Sequence, residues 1–175
     1  MMKTALFLVA GLASAMFVGG AQATGAAGSR GQYLAQIMDC GGCHTPGVFL
    51  GKPDPARYLG GSEIGFKLPG LGVFYPPNLT SDETGLADWS EEDIIRAVRT
   101  GVRPDGRELA PAMPWHAYAA LSDEDAAALA AYLKSLPPVQ NQVPGPFGDA
   151  EEPTAPYMTV VMPQAPAAAV DTAGN

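Results

Sequence analysis

The sequence predicts an all-α domain in which three main helices and long loops surround one covalently attached prosthetic group. Three observations support this prediction: three segments with helical periodicity, a long Gly/Pro-rich stretch, and a cysteine–histidine motif where the first helix ends. The 175 residues have room for one domain of ordinary size with terminal extensions. We expect a signal peptide over residues 1–23, the domain over 24–140, and a Pro/Ala-rich, partly disordered tail over 141–175.

The first helix is predicted from about Ser29 to Asp39, because its apolar residues recur at helical spacing. Residues 45–89 follow and have few regular periods. A loop of this length is unusual in a compact domain without structure of its own. It becomes reasonable if it wraps around a group that is not protein.

The second and third helices have clear start signals. Ser90 is followed three residues later by Asp93, which is a near capping box, and Ser122 is followed in the same way by Asp125. An apolar stripe then continues in each segment, and Pro137 ends the third helix.

The two ends of the chain have a different composition from the domain. Lys3, an apolar run over residues 5–18 and the triplet Ala21-Gln22-Ala23 are typical of a secretory signal peptide, with cleavage expected before Thr24. An uncleaved membrane anchor is the alternative, and we expect no transmembrane segment after cleavage. In the tail, the apolar run 157–162 is expected to pack onto the domain or to pair as an edge strand.

The charge balance excludes one class of partner. Removal of residues 1–23 takes away Lys3 and no acid, so the formal charge changes from −8 to −9. Nucleic-acid binding needs a basic surface, so we expect no nucleic-acid partner. Acidity fits either solubility alone or encounter with a basic protein surface.

The motif Cys40-Gly41-Gly42-Cys43-His44 contains both cysteines of the chain. Its C-x-x-C-H pattern is that of c-type haem attachment, in which two thiols form thioethers with one porphyrin and the histidine ligates iron. The alternatives are a thioredoxin-like pair or a disulfide, which would need a different context, and a zinc site completed by His116. We therefore expect one covalent haem c, with Cys40, Cys43 and His44 at the attachment site.

The iron needs a second axial ligand opposite His44. Met113 is the preferred candidate, because Pro111 and Pro114 fix the backbone around it and a rigid loop holds sulfur on iron at low entropic cost. Met38 lies too close to the motif to reach the other face. The remaining candidates are His116, Met158 and Met162.

An ordered set of segments resembles the class I cytochrome c family, in particular single-haem domains of cytochrome subunits of bacterial membrane-bound alcohol and gluconate dehydrogenases. The resemblance covers residues 30–138 and rests on the segments 40–44, 72–80, 84–90, 99–107, 111–114 and 129–136. It implies a class I cytochrome c fold, thioethers at Cys40 and Cys43, a proximal ligand at His44 and a distal ligand at Met113. Those dehydrogenase subunits carry three haems, whereas this chain has one motif.

The resemblance also implies finer contacts. It suggests that the Pro46 carbonyl accepts the ring N–H of His44 and that the first and third helices cross with Gly31 against Tyr132. The sequence Asn78-Leu79-Thr80 fits a glycosylation sequon, which we discount in a chain that resembles bacterial proteins.

Other polar and aromatic side chains have two interpretations each. Four arginines within twelve residues could pair with haem propionates, but a solvated helix face that offsets nearby acids is the favoured interpretation. Two tryptophans could donate to a propionate or pack in the core. The residues are Arg96, Arg99, Arg103, Arg107, Trp89 and Trp115.

The leading functional hypothesis is a periplasmic electron carrier, not an enzyme, that moves single electrons from a dehydrogenase to a respiratory or photosynthetic acceptor. A second hypothesis is an open-site haem protein that binds a small gas or peroxide because Met113 stays off the iron. A third is a cytochrome subunit bound permanently to an oxidoreductase through the Pro-rich tail.

Overall fold

A computed structural model describes residues 21–163 of the chain. The predicted signal peptide, apart from its last three residues, and residues 164–175 of the predicted tail lie outside this range. The helices of the described part are α1 (Ala21–Ile37), α2 (Cys40–His44), α3 (Glu91–Thr100), α4 (Trp115–Tyr118) and α5 (Asp123–Ser135). The strands are β1 (Gly65–Leu68), β2 (Gly72–Phe74) and β3 (Tyr157–Met158). Within residues 21–163, no helix combines the length and the apolar character that a bilayer span requires.

Helices α1 and α5 cross at a point where the backbones approach closely. A Cβ atom at Gly31 would overlap the Ala128 carbonyl and the Cβ of Tyr132. Nearby, the Arg30 guanidinium donates to both carboxylate oxygens of Asp125, at 2.8 and 3.0 Å. The expected contact between Gly31 and Tyr132 is confirmed, and glycine is required there because no larger residue fits.

The predicted start signals of α3 and α5 are confirmed. The Ser90 hydroxyl accepts from the Asp93 amide at 3.1 Å, and the Asp93 carboxylate accepts from the Ser90 amide at 3.2 Å. The Ser122 hydroxyl likewise accepts from the Asp125 amide at 3.1 Å. Each bond satisfies an amide that has no partner within its own helix.

Helix α1 differs from its predicted bounds at both ends. It begins at Ala21, earlier than expected, and ends at Ile37 rather than Asp39. Asp39 adopts a left-handed conformation with φ of 53° and ψ of 38°. This conformation breaks the helix and turns the chain into α2, so the motif has a short helix of its own.

A small sheet corrects the all-α prediction. Its strand order is β2-β1-β3, with β1 and β2 antiparallel and Phe66 opposite Phe74. Strand β3 pairs parallel to β1, with Gly65 opposite Tyr157. The expected edge strand at the start of the apolar run 157–162 is therefore confirmed. The sheet itself was missed because strands of four, three and two residues are too short for a recognisable alternating pattern.

The hydrophobic core lies between the helices and the loop that follows α2. Leu34 of α1, Ile94 of α3 and Leu129 of α5 are each at most 3% exposed and pack in one cluster with Leu59 and Cys40. The cluster therefore extends up to the first cysteine of the motif.

Residues 139–158, which we call the strap, return along the loops of the domain. Hydrogen bonds fix the strap at both ends and in the middle, with Phe147 and Val73 exchanging two backbone bonds of 2.8 and 2.9 Å. Near its end, the Tyr75 hydroxyl donates to the Ala155 carbonyl at 2.6 Å. The boundary at residue 140 and the disorder of the tail stay predictions, but the strap is extended and tied to the domain.

Candidate haem attachment site

Helix α2 presents both cysteines as free thiols. Cys40 is buried and Cys43 is half-buried. The two glycines between them have close neighbours: a Cβ at Gly41 would meet the ring of Tyr58 at 2.8 Å, and a Cβ at Gly42 would overlap the Asp39 carboxyl group. The structure therefore gives a packing reason for the glycines, because a side chain at either position would require Tyr58 or the Asp39 carboxyl group to move.

His44 is held by its backbone and by its ring. Its carbonyl accepts from the Gly61 amide at 2.8 Å, and its Nδ1 lies 2.8 Å from the Pro77 carbonyl. A carbonyl only accepts, so Nδ1 carries the proton and Nε2 carries the lone pair. The prediction that the Pro46 carbonyl accepts the ring N–H of His44 is wrong. That carbonyl accepts from the Asp54 amide at 2.9 Å instead. Residues 59–62 and 76–79 both lie against His44 in the folded chain. Because they are distant from it in sequence, the residues next to the motif do not predict these contacts.

The lone pair of His44 lies on Nε2. Within residues 21–163 the ring makes one hydrogen bond, from Nδ1 to the Pro77 carbonyl, and the residue is 7% exposed. The lone pair of a neutral imidazole can ligate a metal.

Burial determines the protonation of the motif. It raises the pKa of the Cys40 thiol to about 11, and it raises the pKa of Cys43 with a smaller effect from Asp39. Burial also lowers the pKa of His44, although the bond to Pro77 acts in the opposite direction. Both thiols and a neutral imidazole are the forms expected at pH 7 before haem attachment.

Asn78 is the polar centre of the loop that carries Pro77, and it is only 1% exposed. Its Nδ2 donates to Thr84 Oγ1 at 2.9 Å and to the Val139 carbonyl at 2.6 Å, and its Oδ1 accepts from the amide and hydroxyl of Thr80. A side chain this buried cannot carry a glycan in the folded protein. Its structural role was missed, since no sequence pattern identifies Thr84 and Val139 as its partners.

Met113 lies half-buried in the loop between α3 and α4. Its amide donates to the Ala110 carbonyl at 2.9 Å, and its carbonyl accepts from the Trp115 amide at 2.9 Å. Helix α4 follows this loop and ends at Tyr118, whose hydroxyl donates to the Met38 carbonyl, two residues before the motif, at 2.8 Å. Burial raises the pKa of Tyr118 to about 12, with further contributions from Cys40, Cys43 and Asp39. The structure thus places the end of α4 beside the motif, and the role of Met113 as a ligand stays a prediction.

The other candidate ligands have other contacts. His116 is exposed and lies against Trp115, with ring centroids 3.5 Å apart. Met158 belongs to β3 and is 41% exposed, and Met162 is 76% exposed. Within residues 21–163, the structure brings together no set of three or more His, Cys, Asp or Glu side chains that could hold a metal ion, so the zinc alternative has no ligand set there.

Three of the four arginines support the interpretation of a solvated face. Arg96 pairs with Asp93 at 2.6 Å, and Arg99 pairs with Asp123 at 2.5 Å. Arg103 lies 3.4 Å from a carboxylate and its guanidinium lies 5.0 Å from the ring centre of Trp89. These charges offset nearby acids, and Trp89 packs against the core.

The donor set fits a covalently attached haem. Two free thiols and one neutral imidazole occupy a single short helix, and the imidazole has a fixed tautomer with the lone pair on its second nitrogen. Thiols suit thioether formation and an imidazole suits iron. A haem held there would use Cys40, Cys43 and His44.

Comparison with known proteins agrees with this chemistry. The family model for cytochrome c matches residues 28–137. The gluconate 2-dehydrogenase cytochrome c subunit of Pantoea cypripedii is 42% identical over 134 residues, which are 76% of this chain and 28% of that protein. The cytochrome c subunit of a quinone-dependent alcohol dehydrogenase from Gluconobacter oxydans is 41% identical over 119 residues, 66% of this chain and 23% of that protein. A diheme c-type cytochrome of Cereibacter sphaeroides is 37% identical over 116 residues, 63% of this chain and 36% of that protein.

The chain spans about a quarter of the length of the two dehydrogenase subunits. The matched region contains the motif, the crossing of α1 with α5 and the loop of Met113. The family implies the class I cytochrome c fold, here with the small sheet in addition. The chain therefore belongs to the cytochrome c family and binds haem c covalently.

Proposed function

We propose that this chain is an exported mono-haem cytochrome that carries single electrons from a dehydrogenase to a respiratory or photosynthetic acceptor and catalyses no reaction of its own. Cys40 and Cys43 form the thioethers, and His44 and Met113 are the axial ligands. Export follows the predicted cleavage before Thr24, which intact-mass measurement of the mature protein would check. Bound haem supplies an iron that takes up and releases one electron.

The bond from His44 Nδ1 to the Pro77 carbonyl is the observation that carries this proposal. It fixes the tautomer and the orientation of the imidazole, so that Nε2 carries the lone pair, while burial favours the neutral ring. Because the carbonyl of His44 is also fixed, the ring moves little when the charge on a bound metal changes. A small rearrangement favours electron transfer over substrate chemistry.

The loop around Met113 supports a closed site with two protein ligands. Pro111 and Pro114 limit the backbone conformations on both sides of the methionine. The bond from Tyr118 to Met38 fastens α4, the helix that follows this loop, to the residues before the motif. A side chain held in this way can stay bound in both oxidation states.

Replacement of the methionine tests the closed site. In the haem-loaded protein, Met113→Ala should remove the ferric absorption band near the red end that reports sulfur ligation, whereas Met158→Ala should leave it in place. Loss of the band in Met158→Ala alone would assign the ligand to the tail. A wild-type protein without the band would favour the open site that binds gas or peroxide. A pyridine haemochrome assay, which counts haem per chain, should give one.

The acidity of the chain supports encounter with a basic partner. Oxidation by a basic redox protein should then slow as the ionic strength rises, because salt screens the attraction. A rate that does not change with salt would contradict this part of the proposal.

A permanently bound subunit is a second candidate, and the end of the described chain favours it. Val160, Val161 and Met162 are 82%, 81% and 76% exposed and lie one residue beyond the edge strand β3. An exposed apolar run of this kind often marks a protein interface. The dehydrogenase relatives are also named as subunits.

Size-exclusion of native extracts distinguishes the two candidates. For a bound subunit, Val161→Asp should shift the cytochrome from a large complex to the size of the free chain, whereas Thr154→Asp, at an exposed position of the strap, should not. For a free carrier, both variants and the wild type elute alike as a small protein.

A further inference from the structure

We infer that the strap is a positioning element for His44: its first residues anchor both of the peptide groups that hold this histidine. The inference rests on the proposed role of His44 as an iron ligand. The strap begins at residue 139, just beyond residue 137, where the match to the family model ends.

The first anchored group is the peptide between Gly60 and Gly61. The side-chain amide of Asn141 donates to the Gly60 carbonyl at 2.7 Å. The N–H of the same peptide group belongs to Gly61 and donates to the His44 carbonyl at 2.8 Å. Hydrogen bonds in such a chain polarise one another, so Asn141 strengthens the bond that holds the His44 backbone.

The second anchored group is the peptide between Pro77 and Asn78. Its carbonyl accepts the ring proton of His44 at 2.8 Å. The Asn78 side chain donates to the Val139 carbonyl at 2.6 Å. Strap residue Val139 thus fixes the residue that immediately follows the carbonyl bound to the ring.

The strap is itself tied down at these two positions. The Val139 amide donates to Thr80 Oγ1 at 3.0 Å, and the Asn141 amide donates to Thr84 Oγ1 at 3.1 Å. Main-chain bonds therefore keep the strap in place when only the side chain of Asn141 is changed. This arrangement separates the positioning role of Asn141 from the attachment of the strap.

A firm bond from Nδ1 to a carbonyl increases electron donation by Nε2 to a bound metal. Electron donation favours ferric iron, so a looser bond should raise the reduction potential. The strap would therefore lower the potential of the bound haem through Gly60 and Pro77.

The test compares Asn141→Ala with Gln142→Ala in the haem-loaded protein. Gln142 is the adjacent amide residue and is exposed, and within the described residues its side chain donates to the neighbouring Val143 carbonyl at 3.3 Å. At a fixed redox-buffer potential, Asn141→Ala should raise the ferrous-to-ferric ratio about threefold, which corresponds to about 28 mV for one electron. It should also speed solvent exchange of the His44 ring N–H, measured by NMR. Gln142→Ala should change neither quantity.

Equal potentials and equal exchange rates in Asn141→Ala and the wild type would overturn the inference and leave the strap with a structural role only. Asn141→Leu, which keeps most of the side-chain volume, should shift both quantities in the same direction if the alanine variant folds poorly. Failure of the proposed function looks different, because the wild-type spectrum itself would then lack the signature of histidine ligation.

Discussion

The proximal side of the site, around His44, and the distal side, residues 110–118 around Met113, are built in different ways. His44 is fixed by bonds from residues far away in sequence, since its ring partner Pro77 is 33 positions distant. The distal loop is held by short-range backbone bonds, by two prolines and by one long-range bond from Tyr118. The proximal side thus depends on how distant segments meet, and the distal side depends mainly on the stiffness of the local chain.

This difference predicts which substitutions should disturb each side of the site. Substitutions in the strap or in the loop around Asn78 should disturb His44 although they lie far from it in sequence. The distal side should respond mainly to changes within its own loop.

The largest effect is expected for Asn78→Ala on the proximal side. The variant removes four hydrogen bonds and leaves the buried amide of Thr80 without an acceptor. We expect a loss of about 3 kcal/mol in the free energy of unfolding, since each buried unsatisfied group costs roughly 1–3 kcal/mol. Chemical denaturation of the haem-loaded protein measures this loss in the free energy of unfolding. Gln140→Ala, an exposed amide close by in the chain, should cost little, and equal effects would refute the special role of Asn78.

A smaller effect is expected for Tyr118→Phe on the distal side. The variant removes the bond to the Met38 carbonyl and should cost about 1 kcal/mol. The sulfur-to-iron absorption band should then disappear at a lower denaturant concentration than the global unfolding signal. Tyr33→Phe is the matched control, because that ring is 49% exposed and faces Arg30. If the band and the global signal still change together, the bond does not stabilise the distal loop separately.

A still smaller effect is expected for Pro111→Ala, which loosens the distal loop without removing a contact. Added freedom in the unfolded chain should reduce stability by about 0.4–1 kcal/mol. The denaturant midpoint of the sulfur-to-iron band measures the change. Pro163→Ala, at an exposed position after the strap, serves as the comparison. An unchanged midpoint in Pro111→Ala would show that proline stiffness does not hold the distal side.

The smallest effect concerns the contact between α1 and α5, which supports both sides. The hydrogen bond from Arg30 lowers the pKa of Asp125 below its usual value. A depressed carboxyl pKa contributes stability that is present above the unfolded-state pKa and is lost as the pH falls through the folded-state value. At pH 7 the wild type should therefore be slightly more stable than Asp125→Asn, and the difference should shrink below about pH 4. Denaturant midpoints at several pH values measure the difference in stability between the two proteins. A difference that grows in acid would contradict the stabilising role of the bond between Arg30 and Asp125.

Much of the secondary structure could be predicted because its signals are local. Ser90 and Ser122 cap their helices through residues three positions away, and the C-x-x-C-H pattern specifies the attachment chemistry within five residues. The edge strand at Tyr157 was also predicted, from a short apolar run between Pro-rich segments.

By itself, the sequence determined the helix starts, the motif and the kind of cofactor, because each depends on residues close together in the chain. Only the tertiary structure decided that the carbonyl of Pro77 rather than of Pro46 binds the His44 ring, and that Asn78 is a buried hydrogen-bonding residue. The contacts of the strap with Asn78 and Gly60 were decided in the same way. Those contacts join segments dozens of residues apart. Their pairing depends on how the loops close around a common core, and residue spacing does not encode that closure.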